Sequence, residues 1–494
     1  MEPAPPIGLS YVATAAQRAG HEVKFVDLMT SRDPLGELRT ALRAFAPEVV
    51  GFSVRNIDNI IAQKVSWHIN EVSTLIALTR EHSQAQIVLG GPAISILGAA
   101  ALKRLDADFA VVGEGETAFP QLLAAMGGSR DYASISGLCY RANREILANA
   151  PVRAEEFCGS GMEQWIRWRP YERTGSTWAI HTKRGCPVNC VYCNYPSMEG
   201  NRLRSRQPED VVDEMERVIA AVGPRTFGFT DSTFNVPESH AIGICEEIIR
   251  RKLRVRLSAV SLNPGNISPN LFKLMKRAGF CSLVITPDAA SETMLHNLRK
   301  GFDLAQVQRT VELARESNIQ CTWFFLLGGP GETRQTVEET VSFVEANLNS
   351  KKFLTIFLTG MRLLPGTPLT QQAIADHYIA ADRDLCEPVF YFSPQVDEQW
   401  VLQRINQAIA RCPTVVHGAE QSGSSLERGF NQVLYWLGVA PPFYRFLPTF
   451  LRIPPLPALR ARYTGVRAGC KLLTGAGPRK LENHHRANLV NEGN

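Results

Sequence analysis

Cys186, Cys190 and Cys193 stand in the run Arg184-Gly185-Cys186-Pro187-Val188-Asn189-Cys190-Val191-Tyr192-Cys193. Three thiolates at C-x3-C-x2-C spacing can hold a cubane iron-sulfur cluster, which needs four ligands, so one iron is left for a molecule from outside the protein. That open iron is a place for chemistry. The same residues also allow a structural zinc site, with His181 as a fourth ligand. A zinc knuckle usually brings its ligands in two close pairs, and the chain has no second C-x2-C pair.

The spacing and its setting resemble the radical S-adenosylmethionine (SAM) superfamily, in which the amino and carboxylate groups of SAM chelate the fourth iron of a [4Fe-4S] cluster. The resemblance implies reductive cleavage of SAM to a 5'-deoxyadenosyl radical, with a reducing partner such as flavodoxin or ferredoxin supplying the electron. It also implies that Tyr192, the aromatic residue just before the last cysteine, lies beside the adenine.

A loop of this kind has to be carried by a strand, and Trp178 to Thr182 reads as that strand. Strand and helix patterns then alternate to about residue 370, which suits a partial (β/α)6 barrel with its site at the carboxyl ends of the strands. Polar or Gly-rich motifs fall at such ends: Phe229-Thr230-Asp231, Thr286-Pro287-Asp288, Gly328-Gly329-Pro330-Gly331-Glu332-Thr333 and Arg362-Leu363-Leu364-Pro365-Gly366-Thr367-Pro368. The last two look like late-barrel motifs of the B12-binding radical SAM group. The resemblance then implies that Thr230 and Asp231 meet the SAM amino group and that Asp288 lies near its ribose. Arg362 would pair with the SAM carboxylate through its planar fork. Relatives carry a hydroxyl residue after the acid, whereas this chain has Ala289. Glu199, Arg202, Arg204 and Arg206 follow the cluster loop, where they either line a solvated loop or meet an acidic group.

Ahead of the barrel, residues 1–150 alternate strand candidates (Glu22 to Asp27, Glu48 to Val54, Gln86 to Leu89, Asp108 to Val112) with helices near 8–19, 35–45, 67–82, 94–105 and 117–126. That alternation predicts a parallel sheet covered on both faces, flavodoxin- or Rossmann-like, with any ligand at its carboxyl edge. The strand ends Ser53-Val54-Arg55, Gly90-Gly91 and Gly113-Glu114-Gly115-Glu116 resemble, in order and spacing, those of the cobalamin-binding domain of B12-binding radical SAM proteins. Ser53, Arg55, Gly90, Gly91, Gly113, Glu114, Gly115 and Glu116 are the cobalamin-facing residues this implies. The Asp-x-His-x-x-Gly motif does not occur, so cobalt without a histidine ligand is expected. The chain opens at Met1-Glu2-Pro3, already inside the loop that follows the family's first strand. That central strand is therefore expected to be missing from the sheet, or to lie upstream.

The resemblance implies an enzyme, with methyl transfer to an unactivated carbon of a small-molecule or lipid-like substrate as the reaction. One SAM would methylate cob(I)alamin and a second would yield the substrate-activating radical. Cyclisation, oxidation or rearrangement with the same cofactors is the alternative, and a metal-stabilised binding protein without catalysis is another.

Composition bounds this reading. The 494 residues suffice for about three domains, expected at 1–150, 178–394 and 395–494 with a connector at 151–177, and 45% hydrophobic content can fill their cores. A net charge of +5 does not call for a nucleic-acid partner. Eleven mostly isolated cysteines and no signal-like start point to a reducing cytoplasm. Outside the cluster loop, Cys139, Cys158, Cys245, Cys281, Cys321, Cys386, Cys412 and Cys470 read as small apolar residues. Residues 396–411 read as an amphipathic helix, 418–425 as a linker, and the rest as a mostly helical, Pro-rich extension. Between Arg428 and Glu482 there is no acidic residue, while Arg445, Arg452, Arg460, Arg462, Arg467, Lys471, Arg479 and Lys480 interleave with aromatics. Such a stretch either rests on the inner membrane surface or caps the barrel.

Overall fold

Buried strands of a parallel sheet must be apolar on both faces, and Gln86–Gly90 meets that demand with Ile87, Val88 and Leu89, all 3% exposed or less. The computed structural model describes residues 3–418 and 425–452. In it Val49–Ser53, Gln86–Gly90 and Phe109–Val111 lie parallel and adjacent. Ile94, Ala101 and Leu102 cover one face, and Ala118 and Leu122 the other. An antiparallel hairpin, Leu138–Ala142 with Glu145–Ala148, extends this sheet to five strands.

The segment Glu22 to Asp27, expected as a strand, runs without sheet pairing, and Val49–Ser53 forms the edge. In a flavodoxin-like order both would flank the first strand, and no such strand exists among the described residues. The unpaired segment is held by side chains instead. Phe25 stacks on Trp165 with 5.7 Å between centroids, and Asp27 accepts a 2.8 Å hydrogen bond from the Tyr171 hydroxyl.

The second sheet has seven parallel strands: Trp178–Ile180, Phe227–Phe229, Leu257–Leu262, Phe280–Asp288, Gln320–Leu327, Phe353–Thr359 and Val415–His417, neighbours in that order. Trp323, Phe325, Phe353 and Phe357 point to the outer face, where they pack against Val337, Val341, Val401 and Ile405 of the covering helices. The seventh strand lies beyond residue 394, so the barrel sheet draws on residues expected in the C-terminal extension.

Phe324, Leu354, Ile356 and Leu358 point the other way, into the barrel, and there they meet Leu447 and Leu451. Thr226 and Arg225, just ahead of the strand Phe227–Phe229, bind the carbonyls of Pro441, Tyr435 and Val439. The chain from Tyr435 to Leu451 therefore closes the amino-terminal end of the barrel. Arg445 is buried there and donates to the Ala440 carbonyl over 2.9 Å. Arg460 to Lys480, Cys470, most of the expected linker and the pair His484-His485 lie outside the described residues. Among the described residues no helix is long and apolar enough to cross a membrane.

Candidate active site

The cysteine loop leaves the strand pair Lys183–Arg184 and Arg204–Ser205. Gly185 has φ of +93°, and a Cβ there would sit 2.2 Å from the Arg202 carbonyl oxygen, so only glycine fits. Its N–H donates to Glu199 Oε2 (3.1 Å), and its carbonyl accepts from Ser232 Oγ (2.8 Å). Further along, Val191 N–H bonds Leu298 O (3.2 Å), and Leu369 N–H bonds Val191 O (2.9 Å). The loop is thus pinned from four sides before any cofactor is considered.

Burial pushes the thiols of Cys186, Cys190 and Cys193 up, Cys193 to about 12. Cys193 also feels the charges of Cys190 and Cys186, which places the three in one electrostatic neighbourhood. Buried thiols of this kind ionise when a metal supplies the compensating charge. Among the described residues no three His, Cys, Asp or Glu side chains gather on the position of a single ion. A cubane spreads its thiolates over separate iron corners, so the loop fits a cluster without such convergence. His181 stacks on Tyr11 at 6.0 Å, and burial holds its imidazole neutral with a pKa lowered to about 4.

Tyr192 and Asp288 meet directly: the phenol donates to Asp288 Oδ2. Lys300, which carried no signal in the sequence reading, completes the group through a buried ion pair with Asp288 and a 3.4 Å contact to the Tyr192 oxygen. Asp288 has φ of +65° at a strand end where the pairing register shifts, which turns its carboxylate toward the loop. Thr230 lies at its own strand end with its N–H on Ile180 O (3.0 Å).

Two expected SAM contacts have other partners. Asp231 is 2% exposed and accepts from Thr182 N (2.7 Å), Thr182 Oγ1 (2.6 Å), Lys183 N (3.2 Å) and Lys183 Nζ (3.3 Å). Arg362 donates to Asp58 Oδ2 (2.7 Å) and to the carbonyls of Leu363 and Leu385. Both are filled by protein groups in this geometry, Asp231 bracing the strand that launches the cysteine loop and Arg362 joining the two sheets.

The carboxyl edge of the first sheet divides in the same way. Ser53 and Arg55 are exposed, and the Arg55 charge acts on Tyr195, just past the cysteines. A Cβ on Gly90 would meet nothing within 4 Å, whereas one on Gly91 would strike Val54 O at 2.7 Å. Gly90 therefore borders open space, while Gly91 serves chain crossing. Gly115 packs against Val12, and Gly113 has φ of +88° beside Pro151. Glu114 and Glu116 turn toward the barrel, where both pair with Arg184, and Glu114 also pairs with Arg204 at 2.5 Å. The Arg184 guanidinium lies 4.8 Å from the Tyr11 ring centroid and 4.3 Å from that of Phe157. The other arginines after the loop are also paired, Arg202 with Glu155 and Arg206 with Glu214.

Two cofactor-type edges thus face each other across the helices Pro92–Leu97 and Tyr195–Glu199, which are in contact. Comparison with known proteins agrees with this architecture. Residues 180–344 match the model of the radical SAM superfamily, and residues 2–123 match that of the B12 binding domain. The chain belongs to the radical SAM superfamily and carries a B12-binding domain ahead of the barrel. It is 26% identical to an uncharacterised methyltransferase of Pyrococcus horikoshii, over 76% of this chain and 80% of that protein. It is also 26% identical to the tryptophan 2-C-methyltransferase of Streptomyces laurentii, over 74% of this chain and 71% of that one. The structure of the radical SAM methyltransferase TsrM from Kitasatospora setae, which has cobalamin and a [4Fe-4S] cluster bound, superposes with a TM-score of 0.76 at 25% identity, covering 91% of this chain and 96% of that one.

Proposed function

We propose that this chain is a cobalamin-dependent radical SAM methyltransferase that adds a methyl group to an unactivated carbon of a small-molecule or lipid-like substrate. The observation that carries it is the facing of the cysteine loop and the open, Arg55- and Gly90-bordered edge of the first sheet. When bound, the cluster, SAM and cobalamin would supply electron transfer, radical generation and methyl carriage. Cys186, Cys190 and Cys193 hold the cluster, Tyr192 flanks SAM, and Arg55 and Gly90 border cobalamin. Leu326, packed with Val191 of the cysteine loop, Met361 and Leu363, supplies apolar surface that excludes water from the reacting carbon. A one-electron protein donor such as flavodoxin or ferredoxin fits the need for reduction. Contact with an anionic membrane through residues 428–482 is not needed by this reading, because the described part of that segment packs on the barrel.

The test is product counting with the anaerobically reconstituted protein, SAM, cobalamin and a reductant, across candidate substrates. Radical methylation yields S-adenosylhomocysteine together with 5'-deoxyadenosine, whereas 5'-deoxyadenosine alone with a converted substrate would replace methylation by another radical reaction.

A further inference from the structure

Lys300 is 5% exposed, at the end of a turn whose backbone is fixed by its own N–H on Leu295 O (3.0 Å). A buried ammonium is costly unless each of its donors is used. The Lys300 ammonium donates to Asp288 Oδ2 and, over 3.4 Å, to the oxygen of Tyr192, the residue next to Cys193. The ring centroids of Tyr192 and Phe302, each 5.8 Å from Nζ, complete the enclosure. Asp288 balances the charge, so the pair adds no net charge to the core. Both ends of the pair reach the oxygen of Tyr192, which stands between the ligands Cys190 and Cys193 in the loop.

We infer that Lys300 is a positioning residue that sets the reduction potential of the cluster held by Cys186, Cys190 and Cys193, with Asp288 as the opposing charge. This rests on the cluster assignment in the proposed function. Adding one electron makes the cluster more negative, and a cation buried beside the loop that holds it stabilises that form and raises the potential. A nearby carboxylate opposes it. Removing the two charges must then move the potential in opposite directions, which a merely structural pair would not do.

The experiment is a potentiometric titration with dithionite of the reconstituted full chain, without SAM, followed by electron paramagnetic resonance of the reduced cluster. Lys300→Met is expected to shift the midpoint to more negative potential, Lys300→Arg to stay near the wild type, and Asp288→Asn to shift it to more positive potential, each with about four irons per chain. Midpoints unchanged in both charge-removing variants, or shifted the same way, overturn the inference. If Lys300→Met holds no cluster, the sign of the Asp288→Asn shift decides, and a negative or absent shift overturns the inference. A wild-type chain that takes up no iron would instead remove the cluster assignment itself.

Discussion

Arg362 and Asp58 form a buried ion pair at 2.7 Å across 304 positions of sequence, and it joins the loop after the first sheet's edge strand to the end of the barrel. Neither residue is more than 5% exposed. Removing one partner leaves a buried charge unpaired, so Arg362→Ala or Asp58→Ala should each destabilise the fold by about 3 to 5 kcal/mol. The double variant Arg362→Ala with Asp58→Ala should lose less than the sum of the two. Denaturant unfolding of all three, read as a double-mutant cycle, measures the coupling, and strict additivity would rule out the pair as a joint between the sheets.

Cluster assembly should fail in Cys186→Ala, Cys190→Ala and Cys193→Ala, because two thiolates hold a cubane poorly. Cys281 and Cys321, elsewhere on the barrel strands, serve as controls whose alanine variants keep full iron. Iron and sulfide per chain after anaerobic reconstitution decide the matter, and full iron in any loop variant would sink the assignment.

Glu332 accepts hydrogen bonds from the N–H groups of Gly328 (2.7 Å) and Gly329 (3.2 Å), yet burial pushes its carboxyl up to about 7. Its folded-state pKa lies above the unfolded one, so the native state binds the extra proton. Stability from this group is fully present below about pH 4.5 and is lost as pH rises to about 7, by on the order of 1 to 3 kcal/mol. Glu332→Gln should flatten that slope. Denaturation midpoints at pH 5, 6, 7 and 8 test the claim, and an unchanged slope in the variant would refute it.

Arg184 bridges the cluster loop to Glu114 and Glu116 and is only 7% exposed. Arg184→Met should cost about 3 kcal/mol by leaving Glu116 without its partner. Arg184→Lys should cost less, since it keeps the charge but loses the flat ring contacts. Urea unfolding ranks the two, and equal losses would mean that packing rather than charge holds this joint.

Periodicity made the barrel legible, because runs such as Trp323 to Leu327 and Phe353 to Leu358 are almost wholly apolar and stop at glycine or a polar residue. The cluster loop was legible from spacing alone. Lys300 was not, since it sits in an ordinary turn and acquires its meaning from Asp288 and Tyr192 in space. Asp231 and Arg362 stood at the expected strand ends, but position on a strand does not reveal which protein groups already fill a side chain. The strand Val415–His417 is three residues long, too short for its pattern to rise above the helix before it. The hairpin Leu138–Ala142 with Glu145–Ala148 turns at Asn143-Arg144, both with positive φ, without the glycine that usually signals such a turn.

The closure of the barrel floor by Leu447 and Leu451 has a kinetic consequence. With that end stoppered, what enters the barrel must come by the opposite end or by the flank where the edge strands Trp178–Ile180 and Val415–His417 do not pair. Molecules that enter and leave by shared openings wait on one another. Turnover in such a chamber is governed by the order of exchange as much as by the chemistry within it.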